Sequence, residues 1–141
     1  MAKLIFLNLP VTDLARSIAF YRAIGAEQNH QFSDETGACM VLSDTIHLML
    51  LTHPKYRQFT AKPIADTHVV SAALICLSEE SRAAVDATVG WAGEAGGRAD
   101  ASPLQDHGWM YSRSFDDPDG HTFEIMWMDP AAAHAEAHAA A

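Results

Sequence analysis

The most constraining feature of this chain is that one order of elements occurs twice. Residues 3–9 form a short apolar run ahead of Pro10, which reads as a strand closed by the proline. Thr12 and Asp13 offer N-cap oxygens, Leu14, Ile18 and Tyr21 follow at helical spacing, and Gly25 supplies a stop. Residues 27–32, 38–42 and 46–51 are strand-length segments separated by turn-forming residues. After a connection over residues 53–69, with a helical turn expected near Tyr56 to Phe59, the order restarts. Residues 72–77 read as a strand, and Ser78 as the N-cap of a helix striped by Val85, Val89 and Ala92 and ended by Gly96 and Gly97. Strands over 98–102, 109–115 and 121–128 complete the second copy. The reading is an α+β fold of two βαβββ modules, about 3–52 and 70–129, whose curved mixed sheets enclose a cleft. Residues 1–130 make a single domain, and the Ala-rich tail 131–141 has no apolar stripe to dock and is expected to fray.

Charge narrows the partners. Nine Lys and Arg face eighteen Asp and Glu, a formal net charge of -9 at pH 7, so the field of the chain repels phosphate backbones and anionic lipid. Neither nucleic acid nor a membrane is an expected partner. Residues 1–8 break to Asn and Pro before a signal-peptide core forms, which makes the expected location cytoplasmic. Cys39 and Cys76 lie in apolar runs without Cys-x-x-Cys spacing and read as buried thiols.

Two stretches carry a family likeness. The run Val11-Thr12-Asp13-Leu14-Ala15-Arg16-Ser17-Ile18-Ala19-Phe20-Tyr21 and the later Phe115-x-Asp117-Pro118-Asp119-Gly120-x-x-x-Glu124 resemble the signatures of the vicinal-oxygen-chelate superfamily, which includes glyoxalase, bleomycin-resistance and extradiol dioxygenase proteins. The likeness spans residues 3–128. Gln105-Asp106-His107-Gly108, Met110-Tyr111, Arg113-Ser114-Phe115 and Trp127-Met128-Asp129-Pro130 are similar to a bacterial subgroup labelled predicted lactoylglutathione lyase. The resemblance implies a homodimer, and in metal-using members four strands supply His, Gln or Glu ligands to one divalent cation. Carried over residue by residue, Glu124 matches the last ligand and His47 lies on the strand of another. Phe6 and Ala72 fall near the remaining positions and offer no lone pair. The expected cofactor is therefore none, with a divalent metal on Glu124 and His47 as the alternative.

A turn spanning Asp117 to Gly120 would set Asp116 opposite His121, Arg113 opposite Glu124, Tyr111 opposite Met126 and Trp109 opposite Met128. On that register Arg113 takes the place of the metal and holds the Glu124 carboxylate. Glu124 and His107 are the candidate catalytic groups, His107 as an acid–base residue beside a flexible glycine, with a carbonyl-bonded loop histidine as the plainer alternative. Arg113, Tyr111, Trp109, Asn8 and Met126 are candidate substrate contacts. Met40, Met49 and Met110 read as core, while Met126 and Met128 share the face of Glu124. His121 is expected at the surface, and His134 and His138 make at most an adventitious metal site. The functional expectation is a small-metabolite binder without a tightly held metal; the alternatives are a metal-dependent lactoylglutathione lyase-like enzyme and a drug-sequestering resistance protein. Whether it is an enzyme is left open.

Overall fold

Apolar alternation in residues 5–11 continues straight through Pro10. In the computed structural model, which describes residues 2–132, strand β1 runs Ile5–Val11 rather than stopping at the proline. Pro10 is tolerated because β1 is an edge strand, where a missing N–H leaves no internal ladder bond unmade. The chain divides into two compact units, Met1–Val70 and Ser71–Ala141.

In the first unit β1 leads into helix α1 (Leu14–Ala23), whose first turn is closed by the Asp13 carboxylate accepting from the Arg16 N–H at 3.0 Å. Strand β2 (Glu27–Asn29) gives way to a 3-10 turn over His30–Phe32, followed by β3 (Gly37–Val41) and β4 (Ile46–Thr52). A short helix α2 (His53–Tyr56) starts immediately after β4, three residues earlier than expected, because the Thr52 hydroxyl caps Lys55 and Pro54 suits a first turn. The sheet order is β1-β4-β3-β2, with β1 and β4 parallel. Leu9, Leu48, Leu50, Ala38 and Met40 are buried on one side with Phe20 and Tyr21 of α1, and Phe6, Asn8, His47 and Met49 alternate onto the other.

The second unit repeats the plan. Strand β5 (Leu74–Ser78) precedes helix α3 (Arg82–Glu94), β6 (Arg98–Ala99), β7 (Gln105–Asp106), β8 (Met110–Asp116) and β9 (Thr122–Met128). The sheet order is β5-β9-β8-β6, with β7 also paired to β8. The helix cap is Ser81 and not Ser78, since Ser78 is still in the sheet opposite Met126. Strand β6 is two residues long because the chain turns at Asp100, which adopts φ 54. Val85, Val89 and Ala92 bury the helix stripe against Phe115, Phe123 and Ile125, where Phe115 and Phe123 stack at 5.2 Å across the β8–β9 ladder. His121 is buried, contrary to expectation: its N–H donates to the Asp117 carboxylate inside the hairpin turn. Among the described residues no helix is long and apolar enough to cross a membrane. The tail residues His134 and His138 lie outside the described residues.

Candidate functional site

The turn between β8 and β9 decides what each sheet face presents. Asp117 donates to the His121 carbonyl and accepts, through its own carbonyl, from the Gly120 N–H, so the loop is Pro118-Asp119-Gly120 with Gly120 at φ 89. That is a three-residue hairpin loop, with Pro leading a turn that ends on a left-handed glycine. The ladder therefore pairs Asp116 with Thr122, Ser114 with Glu124, Arg113 with Ile125 and Tyr111 with Trp127. The expected facing of Arg113 and Glu124 is incorrect by one residue, which in a strand reverses the face.

Arg113 and Tyr111 lie on the helix side. The Arg113 guanidinium donates from Nε and Nη2 to the two Asp100 oxygens at 3.0 and 2.8 Å, and from Nη1 to Asp86 at 2.9 Å. Tyr111 donates its hydroxyl to the same Asp86 oxygen at 2.6 Å. Arg113 is thus a tie between β8, α3 and the turn at Asp100, and neither it nor Tyr111 shares the face of Glu124. Trp109 precedes β8 and pairs with neither Met126 nor Met128; its carbonyl accepts from the Asp129 N–H.

A second arginine fixes the loop that carries His107. Arg82 makes a bidentate pair with Asp106 at 2.9 and 2.7 Å, donates to the Gly108 carbonyl at 3.0 Å, and lies over the rings of Tyr111 and Trp127. His107 is exposed on that loop, with Nε2 3.5 Å from the Gln105 amide oxygen and its ring 6.4 Å from Trp109. Its backbone N–H, rather than its ring, bonds the Met110 carbonyl.

These anion partners set an acid limit on stability. Asp86 is held below the ordinary carboxylate range by the Tyr111 hydroxyl and then by Arg113, and Asp100 by Arg113. A carboxyl whose folded-state pKa is depressed contributes stability above its unfolded pKa and loses it as pH falls through the folded one. Stability is expected to decline from about pH 5 downward, and Arg113→Met to flatten part of that decline. Urea midpoints measured across this range check it.

Glu124 sits on the other face, between Cys76 of β5 and Ser114 of β8. Along the same face run Ser78, Met126 and Ser112, then Met110 and Met128, and the register brings Gln105 of β7 beside Ser112. The Glu124 carboxylate is half-buried yet has no hydrogen-bond or ion-pair partner among the described residues. Partial desolvation and the neighbouring Glu124 charge push the Cys76 thiol upward. Cys76 is exposed on this face, a correction to its reading as a core thiol; Cys39 is buried, and both are free. Cys76, Ser112 and Gln105 are not among the site candidates read from the sequence, although period-two alternation from Glu124 across a correct register reaches all three.

In the first unit Phe6 and His47 are register partners with rings stacked at 4.5 Å, and Asn8 is opposite Met49 on the same side. Nδ1 of His47 lies 3.3 Å from the Ile5 carbonyl oxygen. A carbonyl only accepts, so Nδ1 is the donor wherever this bond is made. Ala72 lies two residues before β5, whose residues on the Glu124 face are Leu74, Cys76 and Ser78. Among the described residues no three His, Cys, Asp or Glu side chains converge as a cation site. Phe6 and Ala72 offer no donor, so the residues at the family's ligand positions do not make up a complete set.

The model of the Glyoxalase/Bleomycin resistance protein/Dioxygenase superfamily matches residues 3–125. The chain belongs to this superfamily. A hypothetical protein from S. aureus is 24% identical with a TM-score of 0.74, covering 90% of this chain and 94% of that one. A glyoxalase/bleomycin resistance protein/dioxygenase family enzyme from Burkholderia phytofirmans PsJN gives 20% identity, a TM-score of 0.72 and coverage of 90% and 99%. The fosfomycin resistance protein FosX from Mesorhizobium loti gives 17%, 0.67, and 95% and 98%. At these identities the glyoxalase-superfamily structures establish the fold alone. No match to the chain is found among the curated proteins.

Proposed function

We propose that this glyoxalase-superfamily chain binds a small hydroxyl-bearing metabolite on the Glu124 face of its second sheet, without a tightly held metal. The observation that carries the reading is the half-buried Glu124 carboxylate with no partner among the described residues. A carboxylate only accepts, so its complement is a donor such as an alcohol or amine, and a free anion is disfavoured. Ser78, Ser112 and Gln105 add short polar groups, and Met126 and Met128 a soft apolar surface. With Arg113 committed to Asp86 and Asp100, no fixed cation among the described residues on this face argues for an anionic substrate. The free thiols Cys39 and Cys76 suit the reducing cytoplasm.

The test is retention. Protein purified without a histidine tag and incubated with metabolite extracts is expected to retain a hydroxylated small molecule, and Glu124→Gln to release it while changing unfolding free energy by less than about 0.5 kcal/mol. Equal retention by wild type and Glu124→Gln would refute the assignment. A metal-dependent lyase is the second reading, favoured by the His47 imidazole, whose Nε2 has no hydrogen-bond partner among the described residues; elemental analysis of the same preparation separates the two, since one equivalent of tightly bound metal lost in Glu124→Ala supports the lyase.

A homodimer is part of the proposal. Edge strand β1 exposes Ile5 and Phe6 at 48% and 50%, and edge strand β5 exposes Leu74 at 61%, apolar surface that a second copy would cover. Light scattering is expected to give twice the 15.3 kDa chain mass, and a monomer at micromolar concentration would contradict it.

A further inference from the structure

The loop before β3 and the helix after β4 bring two opposite charges to one open pocket of about 310 Å³ on the surface of the first unit, where Asp34, Gln31 and Phe32 are exposed. Met49, Leu51 and Phe32 supply its apolar lining, and Asp34, Lys55 and Gln31 its polar groups. One Asp34 oxygen is fully used, accepting from the Thr36 N–H at 2.8 Å, the Thr36 hydroxyl at 2.7 Å and the Gly37 N–H at 3.1 Å, which closes the turn. The other oxygen has no partner among the described residues. Lys55 is half-buried, lies 5.6 Å from the Phe59 ring centroid, and likewise has no carboxylate partner among the described residues. Its charge acts on Asp34, yet the two do not meet as an ion pair. The Gln31 side-chain amide is uncommitted too, since only its backbone N–H is bonded, to Asn29. Gly37 leaves room for this lining: a Cβ there would meet the end of the Leu51 side chain at 2.9 Å.

A free anion is opposed by Asp34 and a free cation by Lys55, while a molecule carrying both charges satisfies each. The volume is at the small end of the range for ligand cavities. We propose that this pocket takes a small zwitterion with an apolar body, of the class of aliphatic α-amino acids, its ammonium at the open Asp34 oxygen, its carboxylate at Lys55 and Gln31, and its side chain against Met49 and Leu51. The lining residues all belong to the first unit, and the proposal does not depend on the function proposed above.

Calorimetric titration of the full chain with L-leucine tests it, with N-acetyl-L-leucine, which lacks the ammonium, and L-leucinamide, which lacks the carboxylate, as matched probes. L-Leucine is expected to saturate one site per chain, with each blocked analogue weaker by about tenfold or more. Asp34→Asn, which keeps the turn-closing acceptor, should cut leucine affinity by about tenfold or more while sparing the acetylated probe. Lys55→Gln should cut it comparably while sparing the amide. No saturation by about 10 mM, weaker than ordinary metabolite affinity, would overturn the proposal. So would equal binding of the three probes. Where a variant fails to fold, the three-probe comparison on the wild type decides alone.

Discussion

Phe123→Ala is expected to cost about 3–5 kcal/mol of stability, the largest loss we foresee from a single substitution. Phe123 is fully buried, stacks on Phe115 at 5.2 Å, and lies in the ladder between β5 and β8 under the stripe of α3. Truncation forfeits the transfer energy of the ring and leaves a cavity bounded by strands that are hydrogen-bonded on both sides, so the site cannot easily collapse. In thermal terms the loss is roughly 10 °C or more for a chain of this size. Denaturant unfolding followed by the tryptophans measures it, and a loss under about 1.5 kcal/mol would show that the ring is not in the core.

Arg113→Met comes next, at about 1–3 kcal/mol. The Arg113 side chain is only 20% exposed, but Asp86 and Asp100 are 52% and 44% exposed, so the carboxylates left behind can hydrate and the penalty falls short of that for a fully buried pair. What is lost is the junction of β8 with α3 and with the Asp100 turn, three donors strong. A double-mutant cycle with Asp86→Asn should show coupling, whereas Arg113→Met and Glu124→Gln should add, because those two side chains leave opposite faces of the sheet. Coupling between Arg113 and Glu124 would contradict the observed register.

That register marks where reading the sequence stops being sufficient. The repeat, both long helices and the Val85, Val89 and Ala92 stripe are encoded locally, by caps and by periods of 3.6 and 2, and they are legible without any long-range information. Superfamily membership follows from the motifs at Val11–Tyr21 and Phe115–Glu124. Which residue faces which across a hairpin depends instead on how many residues the turn consumes. Counting four in Asp117–Gly120 instead of three moved Arg113 and Tyr111 to the wrong side. The information was present, since Pro followed two residues later by Gly is the pattern of a three-residue loop with a left-handed end. His121 was misplaced for the same reason, as a residue directly after a turn glycine was read as solvent-facing although the Asp117 carboxylate draws it in. The open second oxygen of Asp34 and the lack of a charge partner for Glu124 and Lys55 among the described residues have no local signature. Both are facts about what every other side chain is doing.

The loop Pro118-Asp119-Gly120 also bears on how such chains diverge. A strand alternates its faces, so lengthening or shortening this loop by one residue, with β8 held still, would turn β9 over: Glu124 and Met126 would go under α3, and Phe123 and Ile125 would go to the opposite face. An even change of two would preserve the faces and shift only the pairing. Insertions here are therefore constrained by parity as well as by size, whereas the connection over residues 57–73 between α2 and β5 carries no such phase and can vary in length without altering which chemistry either sheet displays. Among descendants of this chain, odd-length variation is expected in the linker and absent from the hairpin.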